Sequence, residues 1–227
     1  LHENNSGFAL KLFEPKKLKQ INEDGRRLYV TEGGEKYPSV TTALSLIGRK
    51  KLNEWRRRVG FDKANKIGQQ AARAGTAVHN VAEKYVLGED ISKENPIALS
   101  KFNTIKPYLD NNVDEIYGIE LRMYSDELKT AGTADLICRY NGKNTLLDFK
   151  TSKRRKSKED ILSYFLQCSA YSIMAKEHYN FDVEQIVILM TIAEEPTPEI
   201  FVEDINNYIN KTRKYFEYYH QGLLSES

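Results

Sequence analysis

Apolar and polar positions change their rhythm part-way along the chain. Up to about residue 110 the apolar residues recur at helical spacing; beyond it they alternate or run together as strands do. Residues 1–36 form a polar lead-in in which Asp24-Gly25 is a turn signal, joining residues 18–23 to 27–31 as a small hairpin. Pro38 then interrupts the chain, and Ser39 is placed to N-cap a short helix over 40–47 that Gly48 ends. Residues 51–88 are predicted mainly helical. Leu52, Trp55, Val59, Ala64 and Ile67 keep roughly helical spacing, so Trp55 is expected in the core, and Gly88 is the stop. A further helix is expected over 96–110.

The second half predicts a strand at 113–124, with Ile119, Leu121 and Met123 on one face and Glu120, Arg122 and Tyr124 on the other. Strands at 132–140 and 144–150 follow, joined at Asn141-Gly142. A helix over 158–179, a β-branched strand at 183–193, a turn at Pro196 and Pro198, a return strand at 199–202 and a tyrosine-rich helix over 204–221 complete the chain. This order predicts an α/β domain with a mixed sheet, the helical front section being an elaboration on it.

Composition narrows the class. The chain has 227 residues, 40% hydrophobic and 29% charged, enough for one medium domain with a real core and a solvated surface. No run reaches the ~18 apolar residues of a membrane span, and no stretch near the N-terminus has the pattern of a signal peptide. Cys138 and Cys168, the two cysteines, have no metal-ligand spacing and are too few for a four-cysteine iron–sulfur cluster. Both are expected to be buried and reduced, in a cytoplasmic, monomeric protein without membrane contact. A net charge of +2 does not by itself imply nucleic-acid binding. The cations nevertheless cluster at 49–51, 56–58 and 153–156, where the bland reading is a solvated face.

Candidate chemistry sits on the Asn-Gly hairpin. A two-residue loop at Asn141-Gly142 pairs Tyr140 with Lys143. It then sets Asp135 opposite Asp148, with Lys150 opposite Thr133 on the same face. Opposed residues have Cβ atoms about 4.5–5.5 Å apart, so like charges there are destabilising. A shared proton or a bound cation would relieve them; a salt bridge from Lys150 on a surface hairpin is the plain alternative. Ala134, Leu136, Cys138, Leu147 and Phe149 form the other, core face. A Mg²⁺ or Mn²⁺ ion suits hard carboxylates. Glu120 would face Asp135 if residues 126–129 form a four-residue loop.

The pattern Asp135 … Asp148-Phe149-Lys150 resembles the signature of the PD-(D/E)XK nuclease superfamily. Further segments resemble its RecB-like branch, and in particular phage and mitochondrial-maintenance exonucleases. They are Tyr37-Pro38-Ser39-Val40-Thr41-Thr42, Gly75-Thr76-Ala77-Val78-His79, Glu120 ahead of Gly132-Thr133-Ala134-Asp135, Asp148-Phe149-Lys150-Thr151-Ser152-Lys153, and Gln167-Cys168-Ser169-Ala170-Tyr171. The resemblance runs in order over about residues 37–220. It implies a restriction-endonuclease-like core with a mixed central sheet flanked by helices, a helical layer (37–110) over the active site and a catalytic part at 111–227. It implies Asp135, Asp148, Lys150, His79, Glu120, Gln167 and Tyr171 as catalytic residues, with His79, Asp135, Asp148 and the Phe149 carbonyl holding one or two Mg²⁺ or Mn²⁺ ions.

Ser39, Thr41, Arg56, Thr151, Ser152, Lys153, Arg154 and Arg155 are the expected DNA contacts. Glu83, one turn from His79, either orients that imidazole or is an ordinary polar residue. The expected activity is exonucleolytic hydrolysis of DNA, preferring single strands, in replication, recombination or degradation. A structure-selective endonuclease is the alternative within enzymes, and a non-catalytic nucleic-acid-binding protein on a nuclease-like fold is the alternative outside them.

Overall fold

The computed structural model describes residues 7–23 and 25–224, so Asp24 of the expected hairpin turn, and the ends of the chain, lie outside the described residues. A six-stranded mixed sheet in the order β1-β5-β6-β7-β8-β9 forms the centre, with helices on both faces. β1 (Ala9–Leu10) runs parallel to β5 (Val113–Ser125) at one edge. β5, β6 (Thr130–Tyr140) and β7 (Lys143–Ser152) form an antiparallel meander. β8 (Gln185–Ile192) runs parallel to β7, and β9 (Glu199–Asp204) returns antiparallel at the other edge. Every residue of β8 is buried, as expected of a strand covered on both faces.

The two faces carry separate cores. On one, α3 (Phe61–Val86) and α4 (Pro96–Asn112) bury Val78, Val81, Phe102 and Ile105 against Leu136, Leu147 and Phe149. On the other, α1 (Val40–Leu44), α5 (Leu162–Tyr179) and α6 (Ile209–His220) pack Phe165, Met174 and Phe216 against Ile137, Leu146 and Ile188. A parallel β7–β8 pair needs a long crossover, and α5 supplies it. Among the described residues no helix is long and apolar enough to cross a membrane.

The polar lead-in is more structured than its composition predicts. β2 (Lys19–Glu23), β3 (Arg26–Val30) and β4 (Lys36–Pro38) form a second antiparallel sheet, with Glu23 opposite Arg26 as a tight hairpin requires. It packs through Leu18 and Tyr29 onto Ala131. The stretch before it is pinned by Phe13, whose ring stacks on Tyr179 at 4.4 Å.

The helical front section departs from the expected spacing in an informative way. Gly60, at φ 89°, breaks it into α2 (Arg49–Val59) and α3. α2 has no buried residue, and ahead of Val78 α3 buries only Ala64. Leu52 and Phe61 are exposed and Trp55 is half-buried, so Trp55 does not join the core. The spacing there marks an amphipathic arm that stands off the body rather than a core helix. The second half of α3, from Val78, is the part anchored to the sheet.

Candidate active site

The site lies where β7 parts from β6, beside Glu120 on the neighbouring β5. Asn141 (φ 50°) and Gly142 (φ 75°) make the expected turn, and the ladder runs from Tyr140–Lys143 to Leu136–Leu147. That is the register read from the sequence as far as Leu136–Leu147. Asp135 and Asp148 are the first positions beyond the paired stretch, so the expected pairs Asp135–Asp148 and Thr133–Lys150 are not formed because the strands have separated. On the β5 side, residues 126–129 form the four-residue loop that sets Glu120 level with Asp135, between the pairs Ile119–Leu136 and Leu121–Ala134. Glu120 takes φ 44°, a left-handed conformation that a non-glycine residue adopts at a cost. Alternation slips there. Ile119 and Leu136 pack with the α3/α4 core, whereas Leu121 and Ala134 pack with the α5 core. Ala134 therefore does not share a face with Leu136, Cys138, Leu147 and Phe149 as strict alternation predicts.

Parting the strands frees backbone groups, and side chains take them up. Phe149 N donates to Asp135 Oδ2 at 2.9 Å, and His79 Nε2, from α3, donates to Phe149 O at 2.7 Å. A carbonyl only accepts, so this nitrogen is the donor. His79 Nδ1 is 3.5 Å from Asp135 Oδ2. His79, Glu120 and Asp135 can each offer one ligand atom, all within 4.8 Å of one another.

Asp148 stands outside this cluster, on the α5 side. It is 2% exposed and forms an ion pair with Lys150 through Oδ2, which accepts no well-directed hydrogen bond. Gln167 Nε2 donates to Asp148 Oδ1 at 3.2 Å. The charges are strongly coupled. Burial, then the nearby Asp135 charge, pushes the Glu120 carboxyl up to about 7. Burial also raises Asp148, although Lys150 pulls it back. Burial would lower the Lys150 ammonium, but Asp148 and Asp135 outweigh it and hold the group above its usual range. Three carboxylates thus crowd one notch with one fixed cation beside them.

The remaining expected residues divide. Tyr171 is 4% exposed and its ring covers Gly132, so burial puts it out of reach of a substrate strand. Ser39 is buried and spends its hydroxyl capping α1 by accepting from Thr42 N, which removes it as a DNA contact. Thr41 is exposed and accepts from Arg27. Arg155 is exposed, but its guanidinium is tied to Thr197 and to Glu195 at 2.8 Å across the β8–β9 turn. Glu83 makes no hydrogen bond or ion pair with His79, whose ring nitrogens face Phe149 and Asp135.

A cleft of about 510 Å³ beyond Lys150 is lined by Trp55 and Arg58 of the arm, by residues 151–154 of the β7 end, and by Lys156 and Tyr164. The arm thus reaches the site, but through Arg58 rather than Arg56. Tyr164 is the residue that motif reading misses. The Lys150 ammonium sits 4.9 Å from its ring centre, and its position three residues before Gln167 on α5 is the signal that could have found it.

No protein-family model matches this chain, and no curated protein matches it.

Proposed function

We propose that this chain is a divalent-metal-dependent deoxyribonuclease of the PD-(D/E)XK superfamily, of the RecB-like branch with its restriction-endonuclease-like core, and that it degrades single-stranded DNA from a free end. The observation that carries the reading is the convergence of His79, Glu120 and Asp135 beside the Asp148–Lys150 pair. One imidazole nitrogen, hard carboxylates and a backbone carbonyl, with no thiolate among them, fit Mg²⁺ or Mn²⁺. The crowding of acids in one notch is the electrostatic problem that a divalent cation relieves.

His79, Glu120, Asp135 and the Phe149 carbonyl would hold the ion, with Asp148 adjoining. The ion would polarise a phosphodiester and lower the pKa of a bound water. The chain's own part is then positional. Asp135 fixes the Phe149 backbone, Gln167 fixes Asp148, and Asp148 holds the Lys150 ammonium in the notch. There that ammonium donates to the water or to a phosphate oxygen and offsets the charge that develops in the transition state. Trp55 offers a stacking surface and Arg58, Lys153, Arg154 and Lys156 offer phosphate partners in the adjoining cleft.

The end requirement rests on the arm. With Trp55 and Arg58 facing the end of β7, a strand entering that cleft passes beneath α2, whose Lys50, Lys51 and Arg57, with Lys63 and Lys66 of α3, are exposed. The test is digestion of linear and circular single strands of one sequence with Mg²⁺. The linear strand should be degraded and the circle survive. Rapid cutting of the circle would favour an endonuclease, and no hydrolysis of either with Mg²⁺ or Mn²⁺ would refute the nuclease reading.

A further inference from the structure

A second basic groove borders the site on the side away from the arm. It measures about 760 Å³ and lies between the segment before β2, the end of β3 and the middle of β5. Lys16, Lys17, Lys19 and Arg122 line it, and one wall is Glu120 of the candidate metal cluster. Its floor includes the apolar Pro15, Leu18 and Val30.

The groove is fixed relative to the site, because Lys16 N donates to Arg122 O at 3.1 Å and Arg122 lies two residues beyond Glu120 on the same strand. Its cations differ in freedom. Lys17 faces Glu32 at 3.3 Å and Lys16 lies over the Tyr179 ring. Lys19 and Arg122 are exposed and have no carboxylate partner among the described residues. Four cations against Glu32 and Glu120 leave the concavity basic.

We propose that this groove is a second polynucleotide-binding site, which holds the phosphates of the same strand on the far side of the cleavage point from the Trp55–Lys156 cleft. The inference rests on the nuclease reading. A strand laid across His79, Glu120 and Asp135 has basic concavities on both sides, one walled by Glu120 and the other by Thr151 and Tyr164 next to Lys150. Phosphates held on both sides fix the scissile phosphate between them, which is the positioning that hydrolysis requires. The apolar floor suits sugars and bases, while the lysines and Arg122 take the backbone.

The experiment is equilibrium binding of labelled oligothymidylates of graded length, in EDTA, over a series of salt concentrations. It compares wild type, Lys19→Gln/Arg122→Gln, and Lys211→Gln/Lys214→Gln, a control of equal charge loss on α6, which borders neither cleft. Circular dichroism and thermal melting establish that each variant is folded. For long strands the groove variant should bind more weakly and lose about 1.4 from the slope of log K against log salt, roughly 0.7 for each phosphate contact. The control should keep the wild-type slope, and the defect should fade for strands too short to occupy both clefts. Wild-type slope and affinity in the groove variant, or an equal loss in the control, would overturn the proposal. Failure of the wild type to bind or cut any single strand would instead overturn the nuclease reading beneath it.

Discussion

Gly132→Ala probes the joint between two segments that flank the site. Gly132 opens the Gly-Thr-Ala-Asp run ending at Asp135, and its backbone is ordinary strand, so alanine meets no conformational strain there. An added Cβ would, however, lie 2.8 Å from Tyr171 Cε1, 2.8 Å from its hydroxyl and 3.2 Å from Cζ. Ordinary carbon contacts are about 3.5–4.0 Å. The ring is buried in α5 and must shift as a body. Overpacking of this kind costs about 1–3 kcal/mol. Alanine recovers about 0.5–1 kcal/mol of strand preference over glycine, so the clash prevails and a net loss of roughly 1–2 kcal/mol is expected. For a chain of this length that is about 2–4 °C in Tm per kcal/mol. The assay is urea unfolding of Gly132→Ala, Tyr171→Leu and the double variant. The double variant should be more stable than the sum of the single changes predicts, because leucine removes the atoms that clash. Strict additivity would show that the ring does not press on residue 132 and would refute the packing argument.

Lys150→Ala or Asp148→Asn should lower cleavage by about 10²–10³-fold, the scale of losing one group aimed at transition-state charge; near-normal turnover by a folded variant would count against the mechanism. Glu120→Gln and His79→Ala should each weaken Mn²⁺ binding in calorimetric titration by more than the ~10-fold that losing an outer-shell partner causes, while wild-type affinity would return these residues to a structural role. Arg154→Ala should weaken single-strand binding and reduce its salt slope by about 0.7, whereas Arg155→Ala should leave that slope unchanged and loosen the turn around Thr197, seen as faster proteolysis there.

Local chemistry made much of this legible. Asn141-Gly142 dictates its turn, the turn dictates the register, and the register holds as far as Leu136–Leu147, one position short of Asp135 and Asp148. The loop at 126–129 sets Glu120 level with Asp135. Tertiary effects were not legible. Alternation could not show the slip at Glu120, which depends on a backbone conformation rarely taken by glutamate. The position of α2 follows from the positive φ of Gly60 and leaves Leu52 exposed, neither of which spacing reveals. Ser39 and Arg155 carry groups that suit DNA but are consumed within the chain, one by a helix terminus and the other by Thr197 and Glu195. The hairpin of the second sheet was legible as residues 18–23 and 27–31, whereas its third strand, β4, is three residues long and leaves little apolar pattern to read.

The slip at Glu120 and Asp135 has a consequence for how the chain tolerates change. Beyond that level β5 and β6 are half a pleat out of phase with their earlier halves, and each strand feeds both cores. If residue 120 relaxed to an ordinary strand conformation, residues 121–125 would trade faces, sending Leu121 and Met123 toward the wrong layer. Glycine alone takes that backbone freely, but it brings no carboxylate. On the proposed nuclease reading, the position is one where foldability favours glycine and metal binding favours a carboxylate.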